Sequence, residues 1–451
     1  MDHRFAAHNS FKSTGLEFHK TDPQLRRLLE LPLVHEHKLL DQLPYEQPGL
    51  YTLTGGRQVG KSTLTKTWIK SILNKGEDAQ SIYYITGELI DDHHSLVRII
   101  NEEIENSACP LKYLIIDEAT YIKNWEKALK FLVDDATLDQ VVCIITGSDT
   151  ALIKEMRTTF PGRRGKAEIV DFHLWPLTFR ETVELKNILQ VSGTNRDVAS
   201  FTETEIDLLT EQWKQYLYHG GYLPAINDYY VSGAVSQHIL ASYADWIRGD
   251  MLKHGKREHY LRQIVGAIIK KYASQLSWNS LSKELSIDHP KTVADYIFLL
   301  ENMDVVFVQQ ALREDRLEAS PKKAKRLFFS DPFIYHALRS WVTPQNYYRD
   351  LVNSELADPE LSSKLTEGAA IVNYNRYYPV FYIKAEGEVD IAYIHNKRFW
   401  PVEVKWTNQL RQKDLKQITK YNNALILGKT KKAGTIAEVP FRPLVAELLC
   451  L

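Results

Sequence analysis

The sequence is poor in cysteine and in long apolar runs. Its three cysteines, Cys109, Cys143 and Cys450, are odd in number and far apart, which argues against a disulfide framework and against a cysteine-based metal site. No apolar run approaches the ~18 residues that a membrane-spanning helix needs, and the first residues lack the apolar core of a signal peptide. We therefore expect a cytoplasmic protein without a membrane role.

Net charge is also nearly absent. The chain of 451 residues has 56 basic and 57 acidic side chains and a formal net charge of −1. The chain therefore has no overall positive charge to attract nucleic acid, and any basic surface must be local. With 44% hydrophobic and 25% charged residues the composition is that of a globular protein, and its length suggests about two to four domains.

A glycine-rich stretch near the start matches the phosphate-binding pattern Gly-x-x-x-x-Gly-Lys-Ser/Thr. It lies between a strand-like apolar run and a helical segment, the setting that the pattern requires. The glycines let backbone N–H groups face a phosphate chain at a helix start. We expect Lys61 to reach the β- and γ-phosphates of ATP and Ser62 to bind Mg²⁺. The predicted nucleotide-binding residues are Gly55, Gly56, Arg57, Gln58, Val59, Gly60, Lys61, Ser62 and Thr63.

Two acidic residues end a later strand-like run, Tyr113–Ile116. Asp117 and Glu118 there form a Walker-B arrangement, in which Asp117 holds Mg²⁺, directly or through water, and Glu118 orients the attacking water. A solvated strand end is the alternative interpretation. The next apolar run ends in polar side chains, of which Ser148, or Thr146, is the candidate for contact with the γ-phosphate or the water.

Two arginines follow in the segment Phe-Pro-Gly-Arg-Arg-Gly at 160–165. An arginine in such a loop can stabilise charge on a transferring phosphoryl group, commonly from a neighbouring subunit. Arg163 is the first candidate, ahead of Arg164, and this role implies a homo-oligomer. A solvated basic turn explains the two arginines equally well.

These stretches together resemble a family of AAA-type ATPases of bacteria and archaea that carry a C-terminal domain of unknown function, the DUF4143-like region. The resemblance rests on Thr54–Thr63, Leu114–Glu118 with Trp125, Ile145–Ser148, Gly162–Arg163, Trp175–Phe179 and His219–Pro224. It covers about residues 50–230. It implies a parallel five-stranded nucleotide-binding core and a helical lid around 173–255, and it does not define a substrate.

The following region predicts a helix-turn-helix with a wing. The expected helices are 261–276, 280–285 and 291–300, and the expected strands are 305–308 and 326–329. A recognition helix in this position meets a major groove, and a basic wing contacts phosphates. The candidate DNA-binding residues are Lys291, Arg313, Arg316, Lys322, Lys323 and Lys325. Winged helices also serve as protein-docking modules, and this alternative stays open.

A second set of charged residues lies further along the chain. Glu367 is predicted to open an apolar helix, Asp390 lies in one strand, and Glu403 and Lys405 share a face of the next strand. Asp390 and Glu403 can hold Mg²⁺ or Mn²⁺, which activates water against a phosphodiester, and the lysine can orient that water. We expect these four residues to form a catalytic set.

Their order resembles the PD-(D/E)xK nuclease fold, most closely that of archaeal Holliday-junction resolvases. A predicted helix at 409–421 and a strand at 423–427 complete the resemblance, and Gln417 and Tyr421 take the place of auxiliary site residues. The resemblance implies action on branched DNA. Asp390 follows Glu-Val rather than Pro, which departs from the motif. An active nuclease, a nuclease fold kept for DNA binding and a surface salt-bridge set all remain open.

The sequence thus predicts an α/β protein of several parts. They are a lead-in (1–48), an AAA-type P-loop core (49–172), a helical lid (173–257), a winged helix (258–340), a linker (341–358) and a nuclease-like domain (359–451). We expect ATP hydrolysis coupled to binding or movement of duplex or branched DNA. A non-cleaving switch that binds DNA or a partner protein is the alternative.

Overall fold

The computed structural model describes residues 3–105, 108–148, 156–189, 196–343, 348–407 and 415–451. They form two compact units. Unit 1 comprises the described residues up to Trp175 together with Asn302–Asp304, and unit 2 comprises Pro176–Glu301 and Val305–Leu451. In the part of the chain that is described, none of the helices combines the length and the apolarity needed to cross a bilayer.

Unit 1 is built on a five-stranded sheet in the order β2-β3-β4-β1-β5, with every neighbouring pair parallel. Its strands are β1 (Gly49–Thr54), β2 (Ile82–Thr86), β3 (Lys112–Asp117), β4 (Val141–Gly147) and β5 (Asp171–His173). The predicted parallel core is therefore confirmed. Since all strands point the same way, the residues after β1, β3 and β4 meet at one edge of the sheet, where ligands of such sheets bind.

Helices cover both faces of this sheet, because the strands are apolar on both sides. In chain order they are α1 (Phe11–Thr14), α2 (Phe18–Thr21), α3 (Pro23–Leu29), α4 (Lys61–Asn74), α5 (His93–Glu105) and α6 (Trp125–Asp134). Alternate strand residues belong to two separate buried clusters: Leu114 and Ile116 pack with α5 and α6, and Tyr113 and Ile115 pack with α4.

Unit 2 is richer in helices. They are α7 (Phe179–Leu185), α8 (Glu203–His219), α9 (Leu223–Ser232), α10 (Gln237–Lys253), α11 (Glu258–Lys270), α12 (Trp278–Glu284), α13 (Pro290–Asn302), α14 (Pro332–Val342), α15 (Tyr348–Ala357), α16 (Pro359–Asn375) and α17 (Leu444–Cys450). Capping boxes at Thr178 and Thr202 begin α7 and α8, so that side chains satisfy the free N–H groups of each first turn.

Three sheets accompany these helices among the described residues of unit 2. Their strands are β6 (Gln275–Leu276), β7 (Val306–Gln309), β8 (Leu312–Arg313), β9 (Glu318–Ala319), β10 (Lys325–Phe329), β11 (Val380–Lys384), β12 (Glu388–His395), β13 (Arg398–Lys405), β14 (Leu425–Gly428), β15 (Gly434–Ile436) and β16 (Val439–Pro443). The sheet orders are β6-β10-β7, β8-β9 and β11-β12-β13-β14-β16-β15. In the first sheet, β7 and β10 follow α11 to α13 in the predicted order, whereas β6 lies between α11 and α12 and was not predicted.

Three predicted helix bounds need correction. The helix expected at 261–276 ends at Lys270, because Ala273 has a positive φ of 65° and the next residues pair with β10 as β6. Glu367 does not open its helix: α16 begins at Pro359, where the Asp358 side chain caps the first turn. Of the helix expected at 409–421, residues 408–414 lie outside the described part, and Ile418–Lys420 is a short 3₁₀ turn.

Candidate nucleotide site and carboxylate cluster

The phosphate loop joins β1 to the start of α4, as predicted. Gly60 has a φ of 109°, which favours glycine, and a Cβ on Gly55 would lie 2.3 Å from the carbonyl oxygen of Leu174. The Lys61 ammonium donates to the carbonyls of Gly55 and Gly56 at 3.0 and 3.1 Å. Between the glycines, Arg57 donates to the Tyr121 hydroxyl and Gln58 adopts a positive φ of 58°. Val59 and the α4 residue Thr63 complete the predicted stretch.

Asp117 is buried at the end of β3, where three hydroxyl groups donate to its carboxylate. Ser62 and Tyr84 donate to Oδ2 at 2.8 and 2.5 Å, and Thr146 donates to Oδ1 at 2.6 Å. The Ser62 hydroxyl and the Asp117 carboxylate are oxygen ligands of the type that Mg²⁺ prefers, and they already lie side by side. These residues therefore fit the metal that the sequence predicts for them.

Glu118 follows in a left-handed conformation with a φ of 52°. Its backbone N–H donates to Thr146 Oγ1, and the Ser148 hydroxyl donates to Glu118 Oε2 at 3.3 Å. The carboxylate also lies 3.6 Å from the Lys61 ammonium. The structure thus brings Lys61, Ser62, Asp117, Glu118 and Ser148 to one place at the carboxyl edge of the sheet.

Arg163 and Arg164 lie near the opposite end of the strands, where β1 begins. The Arg164 carbonyl accepts from Leu50 N near the start of β1, and a strand of this length spans about 17 Å. Arg164 is buried and pairs with Asp171 at 2.7 Å. Arg163 is exposed and pairs with Asp134 at 2.9 Å. Neither reaches the phosphate loop of its own chain, and action of Arg163 on a neighbouring subunit stays a prediction.

In unit 2, the exposed side of α13 does not form a basic surface. Lys291 is exposed there, but so are Asp295, Phe298 and Glu301. One lysine beside two acids gives this helix no excess positive charge for a phosphate backbone. The predicted recognition helix therefore presents a mixed acidic and aromatic face.

The basic residues of the wing segment, defined as residues 310–325, make short-range contacts. Arg313 and Arg316 pair with the exposed Glu318, at 3.0 and 3.9 Å. The Lys323 ammonium donates to the Lys384 carbonyl at 3.0 Å, and the Lys325 ammonium donates to backbone carbonyls within the segment. Bonds to carbonyls leave the lysine charges uncancelled. Lys322 is exposed.

The carboxylates predicted in the C-terminal part lie together on β12 and β13. These strands are antiparallel with Ile391 opposite Val402, and the same register brings Asp390 beside Glu403. Asp390 Oδ2 accepts from Val404 N at 2.9 Å, and the Lys405 ammonium donates to Glu403 at 2.5 Å. Strand alternation is as predicted, with Glu403 and Lys405 on one face.

A guanidinium from the preceding sheet completes this carboxylate cluster. Arg326 of β10 is only 2% exposed and bonds to Glu367 on α16. Its Nη1 lies 3.6 Å from Asp390, and its Nε lies 3.4 Å from Glu388. We use "carboxylate cluster" for Glu367, Glu388, Asp390 and Glu403 with Arg326 and Lys405. The cluster thus joins the predicted winged helix to the predicted nuclease-like domain.

The charges of the cluster do not balance. At its edge Glu388 pairs with Lys384 at 3.8 Å, which leaves three carboxylates facing Arg326 and Lys405. Burial, with the neighbouring charge of Asp390, raises the pKa of Glu403 well above its ordinary value. Glu403 Oε2 is buried without a hydrogen-bond partner among the described residues. The donor set therefore fits a divalent cation at Asp390 and Glu403, with Arg326 competing for Asp390.

Sequence patterns missed Tyr84 and the inward role of Arg326. A tyrosine in a fully buried strand needs a partner for its hydroxyl, which was the available signal for Tyr84. The sequence predicts Arg326 only as the first residue of the strand at 326–329. Strand alternation places it on the same face as the buried Phe328, which indicates an inward side chain.

Comparison with known families agrees with the geometry of unit 1. The fold and the converging loop residues define a P-loop ATPase domain. Residues 47–183 match a family described as an AAA domain, which supports an AAA-type ATPase fold for this part of the chain. Residues 210–345 match a domain of unknown function, DUF8612. The DUF4143-like character expected of the C-terminal region is not confirmed, because the family matched there is a different one.

Several solved structures are similar to the chain. A Walker-type ATPase of Pyrococcus abyssi has 14% identity over 64% of this chain and 91% of its own, with a TM-score of 0.40. Aeropyrum pernix ORC2 has 12% identity over 76% and 96%, with a TM-score of 0.36. Thermotoga maritima RuvB has 16% identity over 65% and 89%, with a TM-score of 0.29. Such low values carry no argument about function. A search of curated proteins found no match.

Proposed function

We propose that the protein hydrolyses ATP at the phosphate loop of unit 1 and uses this cycle to act on DNA through unit 2. Lys61 binds the β- and γ-phosphates, Ser62 and Asp117 hold Mg²⁺, and Glu118 orients the attacking water. Bound Mg²⁺ neutralises charge on the phosphates. Ser148 holds the Glu118 carboxylate through its hydrogen bond.

The observation that carries the DNA proposal is a basic rim beside the carboxylate cluster. The rim consists of Lys322, Lys323, Lys325, Lys384, Lys416 and Lys420. Contacts connect several of these residues. Lys323 donates to the Lys384 carbonyl, and Lys420 pairs with Glu386 at 2.6 Å. The positive charge of Lys416 also lowers the pKa of Glu386. Two glutamates, Glu386 and Glu388, lie against lysines of this rim, so the six lysines outnumber these carboxylates by four.

A rim of this kind suits the DNA backbone more than base edges. Lysines neutralise phosphates and position a protein without reading sequence. The mixed face of α13, with Asp295, Phe298 and Glu301, argues against base reading by that helix. We therefore propose that DNA contact is independent of sequence and depends strongly on salt.

Charge reversal tests the rim. Lys322→Glu/Lys323→Glu should weaken binding to a short labelled duplex and lower the slope of log affinity against log salt by about two. Lys431→Glu/Lys432→Glu is the matched control, because these lysines are also exposed in unit 2 but pair with Asp207 and Glu203. Equal DNA affinity of the two variants would exclude the rim as a DNA-binding surface. ATP turnover that DNA does not stimulate would favour a switch that docks on a partner protein.

Metal-dependent cleavage at the carboxylate cluster is the second candidate function. The partnerless buried Glu403 Oε2 and the unbalanced charge favour it, and the resemblance to resolvases suggests branched DNA. The test is cleavage of labelled four-way-junction, forked and linear DNA with Mg²⁺ or Mn²⁺, with and without ATP. Loss of cleavage in Asp390→Ala would support the nuclease. DNA binding without cleavage by the wild type would leave a non-cleaving switch.

A further inference from the structure

The Walker-B residue Asp117 has a second fixed partner in Tyr84 of β2. Tyr84 lies opposite Ile115, two positions before the Thr86–Asp117 pair, so its side chain is on the same face as Asp117. Its hydroxyl donates to Asp117 Oδ2 at 2.5 Å. The phenol is the donor in this bond, because an ionised carboxylate has no proton to donate.

The importance of this bond follows from the role expected of Ser62. If Ser62 and Asp117 bind Mg²⁺, the metal takes up lone pairs of oxygens that now share a hydrogen bond, whereas Tyr84 and Thr146 donate to Asp117 without being metal ligands themselves. Tyr84 on Oδ2 and Thr146 on Oδ1 hold the carboxylate at both of its oxygens. Without Tyr84, Oδ2 loses the donor that does not also bind the metal.

Tyr84 is itself held by a segment before the phosphate loop. The Asn9 side chain accepts from Tyr84 N and donates to Tyr84 O, each at 2.8 Å, and thus pairs with edge strand β2 as a neighbouring strand would. The His8 ring stacks on the Tyr84 ring at 5.6 Å. The Lys66 ammonium lies 5.7 Å from the ring centre and pairs with the buried Asp22.

We propose that Tyr84 is a positioning residue for ATP hydrolysis, which keeps the Asp117 carboxylate oriented toward Mg²⁺, with residues His8 and Asn9 holding Tyr84 in place. This inference rests on the proposed ATP hydrolysis at the same site. The hydroxyl acts on the metal ligand and not on ATP. Its loss therefore changes turnover and magnesium dependence and leaves ATP affinity intact.

The test compares Tyr84→Phe with Tyr83→Phe in the full chain. Both variants lose a single hydroxyl from adjacent residues of β2, but the Tyr83 ring faces the opposite side, where it contacts Lys12. For Tyr84→Phe we expect kcat to fall about tenfold, the usual size for an outer partner of a metal ligand. The Mg²⁺ concentration for half-maximal rate rises, and KM for ATP stays within about twofold.

Three outcomes would overturn the proposal. Equal kcat in the two variants would show that the hydroxyl has no role in turnover. A fall in kcat with an unchanged magnesium dependence, or with a lower melting temperature than that of Tyr83→Phe, would indicate a structural role. Absence of ATP turnover in the wild type and both variants would remove the proposed ATPase and this inference together, a pattern distinct from the other two.

Discussion

The two charged sites of this protein hold their carboxylates in different ways. In unit 1, Asp117 accepts from three hydroxyl groups, which orient its charge without cancelling it. In unit 2, the single guanidinium of Arg326 contacts both Glu367 and Asp390, so it offsets only part of their negative charge. A carboxylate that keeps its charge attracts a metal, whereas one paired with a buried guanidinium is already satisfied. We therefore expect a metal to bind more readily at Asp117 than at Asp390, where it competes with Arg326.

The largest expected effect is at the candidate nucleotide site of unit 1, where hydroxyl groups hold Asp117. Lys61→Ala should abolish ATP turnover, a loss on the order of 10³-fold or more, because the phosphates lose their ammonium partner. Phosphate release measures it. Lys70→Ala, on the same helix α4, is the matched control and should keep wild-type turnover. Unchanged turnover in Lys61→Ala would remove the ATPase assignment.

At the carboxylate cluster, the largest expected effect is on the stability of the fold. Arg326→Met leaves buried carboxylates unpaired and should lower the free energy of unfolding by about 3–5 kcal/mol. Chemical denaturation in a chelator measures this loss. Lys325→Met, one residue earlier and more exposed, should change stability by about 0.5 kcal/mol or less.

Metal addition sharpens the same comparison. If a divalent cation competes with Arg326 for Asp390, then Mg²⁺ or Mn²⁺ should stabilise Arg326→Met more than the wild type. Equal stabilisation of the two proteins would show that Arg326 and the metal do not share a site.

A smaller effect concerns pH. Because the pKa of Glu403 is raised, the folded protein holds a proton that the unfolded chain has already lost above about pH 4. The free energy of unfolding therefore falls as pH rises from there toward the raised pKa, by at most about 1.4 kcal/mol per pH unit. Denaturation in a chelator should show a shallower decline for Glu403→Gln. Parallel curves for the two proteins would contradict this cause.

The smallest effect is expected at Arg163. Its pair with Asp134 is exposed on both sides, so Arg163→Ala should change stability by about 1 kcal/mol or less. Thermal unfolding measures it, with Asp134→Ala as the control. A loss of ATP turnover in Arg163→Ala but not in Asp134→Ala would support action on a neighbouring subunit. Equal turnover in both variants would support the alternative interpretation, in which Arg163 belongs to a solvated basic turn.

Adjacency in the sequence explains which parts of the fold could be predicted. The phosphate loop and the Walker-B pair came from contiguous motifs, whose local geometry requires little else, and the parallel core came from the family resemblance that those motifs support. The end of α11 at Lys270 was missed because pairing of Gln275 with Arg326 overrides a helical pattern. The start of α16 was missed although Asp358-Pro359 is a helix-start signal.

The candidate nucleotide site follows from residue order, because Gly55, Gly60, Lys61 and Ser62 are neighbours and parallel strands carry Asp117 to the same edge. The partners of Arg326 and of Tyr84, in contrast, depend on tertiary packing. Arg326 is 41 residues from Glu367, and Tyr84 is 33 residues from Asp117. Contacts over such separations depend on how strands and helices pack, and a residue's type does not reveal its partner. The sequence alone would also allow Arg326 to face solvent, and the packing of β10 against α16 and β12 places it among the carboxylates.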